Sequence, residues 1–433
     1  MFALFALIGA GLIVTYVRTT AFNARTHDLG SHLHYIKLVE QRHTIPNGTE
    51  CWECHQPPLY YVVAAVVMHA GHWPHPLENA SRKDAGKGAI ALQDLSATTS
   101  FLTLLFWLST IRLSLTTTYE RVTASALATF APSLLIEGCK IGNDTLVICL
   151  ASGAVWQLVK WRASRRARHL AGAGAFAALA ILSKPSGLVA AAIVFASILM
   201  ALVFRRDRRA PRFVWGAGAS VALLGASLAL WRYIVVHIKK GVTHQEWDSM
   251  GAQLRVQNHW KDFVSFDWST FKDNPWLHFD ASPARDQFWN YLLRSSLFGE
   301  GNTQDFATTA YAYALVVVAL ALAAFVACGF LICVARAFGP DRRGERELAI
   351  SALGYVGFLV SLRLVAPYAV HNDFRFIVPI VAPCAVMAGL AFGRLHAKLK
   401  RRWIHLAALP GWLVVAFCVA SLRITLDWPS SLH

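Results

Sequence analysis

Charge is scarce in this sequence: Asp, Glu, Lys and Arg make up 15% of its 433 residues, while 55% are hydrophobic. A soluble domain carries about a quarter charged residues, so a chain this apolar cannot hide its hydrophobic side chains in one water-soluble core, and lipid must be its solvent. Acidic residues are scarcer still, 25 against 41 Lys and Arg, which gives a net charge of +16. That excess does not point to nucleic acid, because the basic residues stand in short clusters between apolar runs, the placement that topology demands. Cysteine is sparse at eight residues, which excludes a disulfide-built scaffold. Internal sequence repeats and low-complexity tracts are missing, so a solenoid is excluded. No basic residue precedes the first apolar run, from Phe2 to Val17, and no small-residue cleavage site follows it, so it reads as a retained span rather than a removable signal.

The apolar runs fall at roughly 2–17, 97–115, 122–138, 145–159, 169–183, 187–204, 213–236, 308–334, 348–366, 374–393 and 403–421. They predict an all-α polytopic membrane protein of about eleven transmembrane helices, a single domain over 1–433. Lys/Arg-rich loops (Arg112 with Arg121, Lys160 to Arg168, Arg205 to Arg212, Arg336 to Arg346, Arg394 to Arg402) fall between every second pair of runs. Such clusters stay in the cytoplasm, which puts the N-terminus inside and the C-terminus outside. This alternation requires that Pro57 to Ala70 lies at the interface without crossing. Two long segments are then external, 18–96 and 237–306, and interfacial helices are expected in both. The second is rich in aromatics (Trp247, Trp260, Trp268, Trp276, Trp289), as suits a loop folded back onto the membrane surface. The Ala, Arg and Trp richness favours a bacterial inner membrane, with the external face in the periplasm.

Chemistry is expected at that external boundary. Asp28 follows the first span, where a carboxylate can take a proton from, or orient, an attacking hydroxyl; equally, it can cap the helix that starts at Leu29. Glu53 is either a second catalytic carboxylate or a solvated loop residue. Lys184 and Arg375 end or begin external turns, where cations could hold an anionic group or reach ordinary headgroups. Arg363 is a third cation near that face, and His371 a further polar group. Asn143 and Asp144 could bind sugar hydroxyls or cap their helix, and Glu137 with Lys140 reads as a boundary ion pair. Asp28 and Glu53 together could join a divalent ion, but no obligatory metal or cofactor is expected. Cys51 and Cys54, with His55, formally match a c-type haem attachment stretch, and a local disulfide or a zinc site with His43 or His55 are the alternatives.

Asp28 with His32, then Ile45 and Pro46, then Gln56-Pro57-Pro58-Leu59-Tyr60-Tyr61 resemble the opening of polyprenyl-phosphate-dependent glycosyltransferases of the GT-C type. The closest resemblance is to the protein O-mannosyltransferases and the lipid A aminoarabinose transferase. Asn143-Asp144-Thr145-Leu146, Ser183-Lys184-Pro185-Ser186-Gly187 and Arg375-Phe376-Ile377-Val378-Pro379 continue it, in order and on the external side. The resemblance implies a GT-C fold with Asp28 as catalytic base. It also implies a polyprenyl-phosphate sugar donor and a substrate site drawn from His32, Gln56, Tyr60, Asn143, Asp144, Lys184, His371 and Arg375. Glu53 departs from the pattern, since the transferase relatives carry a glutamate directly before a Lys-Pro pair, whereas here Pro57 comes four residues later. The acceptor could be a lipid-linked saccharide, a lipopolysaccharide or a protein hydroxyl. A secondary transporter, a haem-bearing redox protein and a carrier-lipid-binding protein without turnover are the competing classes. Charged groups gathered at the boundary rather than at mid-membrane favour the transferase over the transporter.

Overall fold

The computed structural model describes residues 1–20, 28–76, 86–203, 211–239, 255–272, 275, 285–299, 309–337, 344–400 and 406–426. The basic cluster at 205–210, Trp247 and Trp276 lie outside them.

Among the described residues the apolar runs form helices over most of their length. In chain order these are α1 (Phe2–Thr19), α2 (Leu29–Arg42), α3 (Leu59–Ala70), α4 (Gly86–Ser114), α5 (Thr118–Thr129), α6 (Pro132–Ile136), α7 (Asn143–Ser164), α8 (Ala167–Ser183), α9 (Gly187–Val203) and α10 (Pro211–Tyr233). They continue with α11 (Trp260–Val264), α12 (Ser269–Lys272), α13 (Phe288–Phe298), α14 (Thr309–Ala337), α15 (Glu345–Val365), α16 (Val381–Lys400) and α17 (Leu409–Leu426). Seven of the described helical segments are long and apolar enough to cross a membrane, and α3, α8 and α9 are shorter apolar helices. The only extended pairing among the described residues is one bridge between Arg255 and Tyr368.

Two expected spans are cut differently. The run at 122–138 is two pieces, α5 and α6, broken at Phe130 and Ala131. Pro132 has no amide hydrogen to give the preceding turn and disfavours a helical Ala131, so it restarts the chain as the first residue of α6. The second span starts at Gly86 rather than 97; at 29 residues it rises roughly 43 Å, longer than a straight crossing of ~30 Å of hydrocarbon requires. Conversely α3, with 12 residues and roughly 18 Å of rise, is too short for a straight crossing.

The bundle is ordered along α7, which packs on α4 and α8, while α8 packs on α10 and α9, and α16 on α14 and α5. Ser96 of α4 donates to the Lys140 carbonyl (2.7 Å) and Trp107 to Ser152 (2.9 Å), so α4 and α7 run in the same direction. At the far end of α7, Arg162 pairs with Glu347 of α15 at 3.2 Å, Arg346 holds the same carboxylate at 2.9 Å, and Arg336 pairs with Glu345 at 3.2 Å. Arg162, Arg336 and Arg346 thus gather at one end, and residues 137–144, 184 and 366–376 at the other. Large apolar side chains stay exposed on the flanks, among them Leu7, Phe195, Trp215, Leu331, Val365 and Trp412. Such a continuous apolar exterior is what lipid contact requires.

Candidate active site

At the end opposite the basic loops, α7 begins without a side-chain cap. Gly142 holds the N-cap position, which corrects the capping reading of Asn143 and Asp144 and leaves both side chains to other partners. Asp144 meets Lys184 across the gap between α7 and the turn linking α8 to α9: Nζ to Oδ1 is 2.6 Å, with both side chains largely buried. Lys184 is set by its turn. It leaves α8 in an extended conformation, Pro185 starts the next bend, and a Cβ at Gly187 would strike the Ala180 carbonyl, so the glycine is needed for the chain to fold back this tightly. Arg375 completes the patch. Its guanidinium lies 5.0 Å from the Phe376 ring centre, and the Lys184 ammonium lies 5.5 Å from the same ring. Lys184, Arg375 and Lys140 all attract the Asp144 carboxylate. Lys140 also pairs with buried Glu137 at 2.7 Å, as the sequence suggested. Asn143 is fully buried, and neither atom of its amide has a hydrogen-bond partner among the described residues.

A second group of side chains meets this one over Gly142. His32, in the first turn of α2, lies so close to the Gly142 Cα that a Cβ there would come within 3.1 Å of its Nε2. Its Nδ1 is 3.0 Å from the Tyr61 hydroxyl, which donates to Glu53 Oε2 at 3.4 Å. Tyr61 stacks on Tyr35 with ring centres 3.7 Å apart. Burial, and after it the charge of Glu53, pushes the Tyr61 hydroxyl well above its ordinary pKa, so it stays protonated. Asp28 stands one turn before His32 and takes the N-cap position of α2, but its side chain makes no capping bond. Its carboxylate is half-buried, without a described contact to Glu53 or Asp144.

The turn that carries Glu53 is held from a distance. Cys51 and Cys54 are disulfide-bonded, which removes both from haem attachment or zinc binding in this state. Lys239, just beyond α10 at the start of the second external segment, buries its ammonium here. It donates to the carbonyls of Cys54 and Gln56 (2.6 Å to the latter) and to the Tyr35 hydroxyl (3.1 Å). Gln56 thus contributes its backbone to this cage, while its side-chain nitrogen lies 2.9 Å from the His55 ring. Tyr60 is buried against Ser96 and the Gly142 backbone and so supports the start of α7. His371 donates from Nδ1 to the Ala366 carbonyl (2.6 Å) and sets its ring against Phe376, at 6.4 Å between centres. Arg363 is committed elsewhere: fully buried, it donates to Asn258 (2.8 Å) and to the carbonyls of Gln257 (3.0 Å) and Asp286 (3.2 Å), tying the second external segment to the end of α15. Among the described residues no group of three or more His, Cys, Asp or Glu is arranged to hold a metal.

Of the residues expected from the sequence, His32, Glu53, Tyr60, Asn143, Asp144, Lys184, His371 and Arg375 therefore gather at one end of the bundle, Asp144 pairing directly with Lys184 and the others linked through Tyr61, Gly142 and Phe376. Lys239 carries no functional mark in the sequence, because its importance comes from what packs on it, and Tyr61 is marked there only as the last residue of the Gln56-to-Tyr61 stretch.

ArnT of Cupriavidus metallidurans, in its apo state, superposes with a TM-score of 0.54 at 14% identity, over 97% of this chain and 76% of that one. The same protein has been solved bound to undecaprenyl phosphate, with a TM-score of 0.49, 14% identity, and 99% and 78% coverage. The oligosaccharyltransferase of Archaeoglobus fulgidus, in a complex with zinc and sulfate, gives a TM-score of 0.53 at 14% identity, over 99% of this chain and 53% of that one. The present chain has the GT-C fold. It spans about half the length of the archaeal GT-C protein. No family model and no curated protein sequence matches it. At 14% identity the likeness is one of architecture.

Proposed function

We propose that this protein is a glycosyltransferase that moves a sugar from a polyprenyl-phosphate donor to an acceptor hydroxyl on the external face of the membrane. The observation that carries this reading is the meeting, at one end of a GT-C bundle, of the Asp144–Lys184–Arg375 patch with the His32–Tyr61–Glu53 group. When the glycosidic bond breaks, negative charge grows on the phosphate, and fixed cations at a largely buried site stabilise it more than water would. Lys184 and Arg375 supply that charge. Asn143 offers a buried amide whose unmet hydrogen bonds a sugar hydroxyl would satisfy. Asp28 and Glu53 supply the carboxylates on the acceptor side, Asp28 by orienting the attacking hydroxyl, and Gln56, Tyr60 and His371 hold the walls.

The donor is a lipid that lies in the outer leaflet with its phosphate at Lys184. The acceptor is a lipid-linked saccharide, a lipopolysaccharide or a protein hydroxyl, and the reaction needs no obligatory metal. The membrane is a bacterial inner membrane, with the N-terminus cytoplasmic and the site in the periplasm. Native mass spectrometry of the purified chain with undecaprenyl phosphate tests the donor class. Saturable binding that Lys184→Ala and Arg375→Ala each weaken is expected; wild-type protein that binds no polyprenyl phosphate would overturn the reading.

A further inference from the structure

The hydrogen bonds around Tyr61 decide the state of His32. A phenol has one proton to give; the Tyr61 hydroxyl donates it to Glu53 Oε2, so its bond with His32 is one it receives. The His32 ring is then protonated at Nδ1, which leaves the Nε2 lone pair as the basic atom. Nε2 makes no hydrogen bond among the described residues and lies against Gly142, two residues before the Asp144 that holds Lys184. A carboxylate, a hydroxyl and an imidazole in series, with the imidazole's second nitrogen set against Gly142 beside the Asp144–Lys184 pair, is the arrangement by which an orienting group fixes a general base.

We propose that His32 is a catalytic residue of the transfer, the base that takes the acceptor's proton at Nε2, with Tyr61 and Glu53 as its positioning residues. The proposal rests on the glycosyl-transfer reading. As the acceptor oxygen attacks the anomeric carbon, its proton moves to Nε2. The bond between that carbon and the phosphate oxygen breaks, and its electron pair leaves on the phosphate beside Lys184 and Arg375. The imidazolium that forms is stabilised by Glu53 through the Tyr61 hydroxyl. Asp28, one turn away, shapes the approach of the acceptor. The charged groups that act on the Tyr61 hydroxyl are Glu53 and Asp144, the latter held by Lys184, Arg375 and Lys140, and Asp28 stands at the N-cap of the helix that carries His32.

Two measurements on the full chain in nanodiscs test this. Diethyl pyrocarbonate acylates an open imidazole nitrogen, and peptide mass spectrometry should find His32 modified and its modification slowed by undecaprenyl phosphate. In transfer assays across a panel of undecaprenyl-phosphate-linked hexoses, His32→Ala should lower kcat by about 100-fold or more while leaving the KM for donor nearly unchanged. Millimolar imidazole should restore part of that rate, which a purely structural defect would not allow. Tyr61→Phe, which keeps the ring stack and removes the hydroxyl, should lower kcat by about tenfold, in the same sense. A His32→Ala variant with wild-type kcat, or a His32 that resists acylation, overturns the proposal alone. Wild-type protein that transfers no sugar overturns the glycosyl-transfer reading and this proposal with it.

Discussion

Lys184 and Asp144, forty residues apart, form an ion pair of 2.6 Å that locks the turn between α8 and α9 to the first turn of α7. On the proposed reading, an incoming phosphate shares or replaces the carboxylate as the partner of this largely buried ammonium. Lys184→Met removes the cation and strands Asp144. Transfer is expected to fall by about 100-fold or more, the scale seen when one stabilising donor is taken from a developing anion, with Lys184→Arg retaining an intermediate rate. Steady-state kinetics of the three proteins checks the order.

Lys239 ties the second external segment to the turn that carries Glu53. Lys239→Met keeps most of the side-chain volume but leaves the Gln56 and Cys54 carbonyls without their donor, a loss of about 1–3 kcal/mol for buried acceptors. Faster amide hydrogen exchange confined to residues 51–61 is the expected result, read by mass spectrometry against the wild type.

Cys51 and Cys54 are bonded to each other, so the purified protein should show no covalent-haem Soret band and no thiol labelling at either position until it is reduced. An absorbance spectrum together with alkylation mapping of the intact and reduced chain checks both.

At the other end of the bundle Glu347 is fully buried between Arg162 and Arg346. Glu347→Ala leaves the arginines unbalanced, and breaking a buried pair from one side costs about 3–5 kcal/mol. The variant's unfolding midpoint should drop clearly, while the affinity for undecaprenyl phosphate, measured below that temperature, stays unchanged. The separation is geometric, since Asp144 and Arg162 lie roughly 27 Å apart along α7.

The motif residues that sit at helix ends were legible in the sequence because hydropathy and loop charge place helix ends reliably: Asn143, Lys184 and Arg375 all lie at the same end of the bundle. The break at Pro132 was written in the sequence too, but the unbroken apolar run around it masked the two short helices. The His32–Tyr61–Glu53 series was not legible. It needs α2 and α3 to pack side by side, with the turn between them held by a lysine 185 positions away from Cys54, and no local pattern reports such a contact. Arg363 misled for a related reason. A cation near a membrane boundary looks the same in sequence whether it faces a phosphate or, as here, the carbonyls of a loop.

The most direct test asks whether positions 28 and 184 open to the same water. Single cysteines placed there in a chain cleared of its other reactive thiols can be labelled with a membrane-impermeant maleimide in intact cells, with position 398 as the opposite-face control. Labelling of 28 and 184 from outside, and of 398 only after permeabilisation, is the expected result. If 28 and 184 react in different compartments, the acceptor-activating groups and the phosphate-binding cations cannot form one site, and the proposed transferase falls.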